Sequence, residues 1–167
     1  DSVDAQWKDS MDDYNVMLVT IGRSSTENGT YLPGVDGVDA SQDLNQTDPL
    51  GLSDDERDLI NAAVEAKKNN GGKVIVMLNN SNAMEIDEIK NNDGVDAILE
   101  VGLPGGYGFY GVADILSGEA NPSGHLTDTY AVTNANSPAA QNFGNYEWTN
   151  ADPSVNINAE EVEAEDI

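Results

Sequence analysis

Apolar residues arrive in short blocks separated by polar, glycine-rich stretches, and the spacing within each block assigns the elements. Val3, Trp7, Met11 and Tyr14 recur at helical intervals, so residues 3–13 read as a short amphipathic helix with Trp7 on its apolar face. Asn15 to Gly22 is a continuous apolar run ended by glycine, the pattern of a strand buried on both faces. From Arg23 to Leu52 the pattern dissolves into Gly, Ser, Asn, Asp and Pro. A loop of that length in a compact domain is often functional, so this is the first place to look for a site.

Ser53-Asp54-Asp55-Glu56 has the form of a capping box and opens a helix whose inward face carries Leu59, Ile60, Ala63, Val64 and Ala66, ending near Gly71-Gly72. Lys73 to Asn79 predicts a second buried strand, Met84 to Lys90 a short helix, and Val95 to Gly102 a third strand. Phe109 to Leu116 reads as another helix, and Asn121 to Gly124 as a turn. The alternation from His125 to Tyr130 suggests a last strand, antiparallel at the sheet edge. This order predicts an α/β fold: a doubly wound, mostly parallel sheet sandwiched by helices. Residues 1–150 form the expected domain, and 151–167 an acidic tail or linker.

Composition narrows the function. The 167 residues suit one domain, and a hydrophobic fraction of 38% suffices for one core. Thirty-one acidic residues against seven basic ones give a net charge of −24. Such a surface repels phosphate backbones and anionic lipid, which argues against nucleic-acid and membrane-surface partners. A solubilising coat explains the charge more simply than recruitment of a cationic partner or calcium. No cysteine is present, which excludes disulfides, thiolate metal sites and cysteine nucleophiles without fixing a compartment. With one histidine, His125, a multi-histidine metal site is excluded, and no metal or cofactor is expected. Gly102 to Gly106 lacks dinucleotide-binding glycine spacing and reads as a strand-to-helix turn.

Five motifs in order carry a resemblance. VTIGRSSTENG, LGLSDDERDLI, KVIVMLNNSNAMEI, VDAILEVGLPG and VADILSGEANPSGHLTDTY are together similar to the C-terminal-type α/β-sandwich domain of family 3 glycoside hydrolases, over about residues 3–130. That family's Pro-Gly loop usually continues Gln-Glu-Gly-Gly, whereas here Pro104-Gly105 leads into Gly106-Tyr107-Gly108-Phe109. The resemblance implies a domain of a retaining β-glucosidase-like hydrolase, lining the sugar site and packing on a separate barrel domain. It also implies a carbohydrate substrate, with the nucleophilic aspartate lying in the barrel, since no Ser-Asp-Trp motif is present. Glu27 matches the glutamate that acts in some members as general acid/base, and a structural role in its own loop is the alternative. Asp36, Asp39 and Trp148 are candidate substrate-binding residues, set against a solvated loop for the aspartates and a chain anchor for the tryptophan. A stand-alone carbohydrate-binding or scaffolding module is the competing function. A receiver- or flavodoxin-like domain is disfavoured because no acidic pair or phosphate loop follows the first strand. An extracellular or cell-surface bacterial setting is slightly favoured over a cytoplasmic one.

Overall fold

The computed structural model describes residues 10–23 and 48–138. The chain divides into two compact units, Asp1–Asn134 and Ala135–Ile167, and all the elements considered below belong to the first. Three parallel strands, β1 (Val16–Gly22), β2 (Lys73–Asn79) and β3 (Ala97–Glu100), lie in that order in one sheet. Helix α1 (Asp54–Asn70) connects β1 to β2, α2 (Asp87–Lys90) connects β2 to β3, and α3 (Gly105–Ser117) follows β3. Helices thus alternate with parallel strands, as the apolar blocks predict. Of the expected N-terminal helix, only a helical stretch at Ser10 and Met11 is described, and Trp7 lies outside the described residues.

Helix α1 forms where its caps direct it. Ser53 Oγ accepts from Glu56 N at 3.2 Å while Glu56 Oε2 accepts from Ser53 N at 2.8 Å, closing the capping box. Acidic residues fill its first turn, lysines its last, and Gly71 ends it in the left-handed region at φ 72°. Its buried Ile60, Ala63 and Ala66 join Met17, Val19, Ile21, Val74, Val76 and Leu78 in one core. Asp96 then ties the lower edge together: it accepts from Lys67 Nζ at 2.7 Å, Lys73 Nζ at 2.9 Å and Val74 N at 2.9 Å. Those contacts, Lys67 foremost, hold its carboxyl well below the ordinary carboxylate range.

The structure corrects three expectations. Residues 125–130 form no strand: residues 121–129 are exposed and pair with no described strand, so alternation alone did not supply an edge to join. β1 is not buried on both faces; its burial alternates, with Val16 54% and Leu18 43% exposed, and it lies at the sheet edge. Only its α1-facing side has a described element over it. Finally, α3 begins at Gly105 instead of Phe109, because its first turn is built from glycines that sequence propensity counts against a helix.

Gly94 passes so close to α1 that a Cβ built there would meet Val64 Cγ1 at 2.2 Å. Gly94→Ala is therefore expected to cost about 1–3 kcal/mol through overpacking, measured by urea unfolding. Adding Val64→Ala should recover part of that loss; a purely additive double mutant would show that the contact is not the cause.

Candidate functional site

In open parallel sheets ligands bind beyond the carboxyl ends of the strands. Here that edge carries the turn after β1, the Asn79-Asn80 turn after β2, and the Gly102–Pro104 turn after β3. Arg23, directly after β1, organises it. Its side chain is fully buried, and its five N–H donors all find acceptors. Nε donates to Pro49 O at 2.8 Å, Nη2 to Gly51 O at 2.8 Å, and Nη1 to Gly22 O at 2.8 Å. The remaining two donors form a fork on Glu56, Nη1 to Oε1 and Nη2 to Oε2 at 2.9 Å. One guanidinium thus holds Gly22, Pro49 and Gly51, described residues on either side of 24–47, against the first turn of α1. The planar fork suits this task, which a lysine ammonium could not reproduce.

Neighbouring turns are joined to this clamp. Glu85 N donates to Leu50 O at 2.9 Å, and the Glu85 carboxylate accepts from Asn134 N. Burial and the nearby Asp48 carboxylate raise the Glu85 carboxyl above its ordinary range, against the opposing backbone bond from Asn134. Asn79 Nδ2 reaches Gly102 O at 2.6 Å, linking the ends of β2 and β3. Glu100 accepts from Gly102 N at 2.7 Å and from Tyr130 Oη at 3.0 Å. Burial, then that carboxylate, pushes the Tyr130 phenol up to about 12. A groove of about 720 Å³ opens between β3 and residues 122–130, lined among others by Asn80, Glu100, His125 and Tyr130. His125 is exposed.

After the Pro104-Gly105 turn, α3 presents Tyr107 and Tyr110, 90% and 71% exposed, with ring centroids 6.4 Å apart. One residue of this helix, Val112, is buried. Glu27, Asp36, Asp39 and Trp148 lie outside the described residues. The sequence reading missed the role of Arg23, although a cation directly after a buried run, in a chain with seven cations, was a usable signal.

The family model of the glycosyl hydrolase family 3 C-terminal domain matches residues 1–162. The chain belongs to this family. Within the chain, 136 residues are 29% identical to thermostable beta-glucosidase B of Acetivibrio thermocellus, covering 81% of this chain and 17% of that protein. A second relative, beta-xylosidase/alpha-L-arabinofuranosidase 1 of Medicago sativa subsp. varia, is 34% identical over 79 residues, 47% of this chain and 10% of that protein. Among solved structures, beta-glucosidase 3B from Thermotoga neapolitana in complex with glycerol superposes with a TM-score of 0.62 at 30% identity, covering 79% of this chain and 16% of that one. The chain therefore spans 10–17% of these relatives' lengths.

Two outcomes test this frame. Arg23→Ala should cost about 3–5 kcal/mol in chemical denaturation, because Glu56 and three carbonyls lose their donor; Arg57→Ala, which breaks exposed pairs with Glu88 and Asp54, should cost under about 1 kcal/mol. Equal losses would remove the special standing of Arg23. Because the folded protein holds the Tyr130 phenol neutral, that contribution is complete below the ordinary tyrosine value of 10.0 and is lost as pH rises through about 12. Ultraviolet titration should show one late-ionising tyrosine, which Glu100→Gln shifts downward; an unchanged titration would contradict the assignment.

Proposed function

We propose that this chain is the domain of a retaining β-glycosidase that packs on a barrel domain and contributes the loop carrying Glu27 to the sugar site. The observation that carries the reading is the Arg23 clamp. It ties the carboxyl end of β1 to Pro49, Gly51 and Glu56, and open α/β sheets bind their ligands at that end. Glu27 then stands four residues beyond a rigid, buried anchor. In the retaining scheme an aspartate of the barrel attacks the anomeric carbon while a second carboxyl group protonates the departing oxygen. Glu27 takes the second role, first as acid and then as base toward the incoming water. Asp36 and Asp39, on the same loop, are candidate partners for sugar hydroxyls, and Trp148 a candidate stacking surface. The apolar α3 surface around Tyr107 and Tyr110 suits burial against the companion domain. The relatives named above are hydrolases, which gives a stand-alone binding module no support.

In the intact hydrolase, Glu27→Gln should slow substrates with poor leaving groups on the order of 10²–10⁴-fold while barely affecting activated aryl glycosides, because only the former need the proton. A flat leaving-group dependence in a normally folded variant would end the assignment. The chain alone should turn over no nitrophenyl β-glucoside, since it lacks the nucleophile motif; steady turnover abolished by one of its own mutations would contradict the reading.

A further inference from the structure

Asn70 ends α1 and is followed by Gly71 and Gly72. An asparagine before glycine is open to attack by its own backbone, because glycine brings no side chain to block the approach. The reaction needs only water besides the chain. The Gly71 nitrogen loses its proton and bonds Asn70 Cγ, the Cγ–Nδ2 bond breaks, and ammonia departs with that proton. Water then opens the succinimide ring to aspartate or isoaspartate. In this fold the groups that must move are engaged elsewhere. Asn70 Nδ2 donates to Tyr14 O at 2.6 Å and to Asp12 O at 3.2 Å, and Asn70 Oδ1 accepts from Gly72 N at 2.8 Å. Gly71 N donates to Lys67 O at 2.8 Å within the left-handed cap of α1. One amide thus ties the end of α1 to the segment that enters β1. The sheet starts from the same place: Asn15 O accepts from Lys73 N at 2.8 Å, and Val16 stands opposite Lys73.

We propose that Asn70-Gly71 is a deamidation site that the fold keeps latent and that opens when residues 12–15 lift away from α1. With the tether closed, the Asn70 amide is held on Tyr14 and Gly72, and the Gly71 N–H stays on Lys67 O. Attack requires both to let go. After reaction the tether cannot re-form, because a carboxylate at position 70 accepts hydrogen bonds and donates none. It would face the carbonyl oxygens of Asp12 and Tyr14, with the Asp12 carboxylate already on Asn69 Nδ2 at 3.2 Å. The isoaspartate product also lengthens the main chain at the end of α1. A transient local opening is thereby made permanent, at the point where β1 joins β2. The inference depends neither on the role of Glu27 nor on the sugar-site reading.

Peptide mapping by mass spectrometry tests it, on the intact protein held at mildly alkaline pH beside a synthetic peptide of residues 66–75. Asn70 should deamidate at least about tenfold more slowly in the folded protein than in the peptide; equal rates would overturn the proposal. Gly72→Ala separates the tether from the reacting pair. A Cβ at Gly72 would meet Asn15 O at 2.7 Å and Asn70 Oδ1 at 2.8 Å, so the substitution pushes the tether apart and leaves Asn70-Gly71 unchanged. In the folded protein it should speed deamidation at Asn70 roughly tenfold, while in the peptide it should change the rate little. Equal rates in the two folded proteins would show that the tether is not the lock. If Gly72→Ala does not fold, urea below the unfolding transition takes its place: the rate at Asn70 in the parent protein should rise before global unfolding. A rate that stays flat up to the global transition would overturn the local opening. Asn70→Asp should lower the thermal midpoint, and an unchanged midpoint would contradict the loss of the tether.

Discussion

The guanidinium of Arg23 is the constraint on which the carboxyl edge of this sheet depends. Loops tolerate length cheaply, since closing a longer loop adds little entropy cost; holding their ends in one place requires specific contacts. Arg23 supplies them by placing five donors on Gly22, Pro49, Gly51 and both oxygens of Glu56. Glu56 serves twice, since Oε2 also completes the cap of α1. The start of α1, the end of β1 and residues 49–51 are therefore one electrostatic unit.

Charge sharpens this arrangement. In a chain of net charge −24 every described cation is paired with a carboxylate: Arg57 with Asp54 and Glu88, Lys67 and Lys73 with Asp96, Lys68 with Glu65, Lys90 with Asp87. Most of these pairs are exposed and worth little individually. Arg23–Glu56 differs because the arginine side chain is buried, so loss of Glu56 leaves a cation that water cannot reach. Asp96 has a related task at the other end of the sheet, where the aspartate of the family's recurring strand motif fastens α1 and β2 to β3.

What could be read in the sequence follows the range of the interactions. The capping box at Ser53, the left-handed stop at Gly71 and the strand Lys73–Asn79 rest on neighbours within a few residues, and their structure follows the local pattern. The family motifs gave the parallel α/β architecture for the same reason. The role of Arg23 was harder to read because four of its five hydrogen bonds go to partners 26 to 33 residues ahead. The segment from His125 to Tyr130 alternates like a strand, but pairing needs a matching edge, and periodicity carries no information about one. β1 misled as well: its apolar run reads as a strand buried on both faces, while Val16 and Leu18 are exposed and the strand lies at the edge of the described sheet. Of the candidate site, the contacts of Arg23 are described, and Glu27 is proposed from its motif alone.

A crystal structure of the intact protein with an uncleaved oligosaccharide bound tests the central claim most directly. The account predicts the Glu27 carboxyl within about 3 Å of the scissile glycosidic oxygen, or one water away, with Arg23 still holding Pro49, Gly51 and Glu56. Glu27 turned away from the sugar, with another carboxyl group on that oxygen, would contradict it.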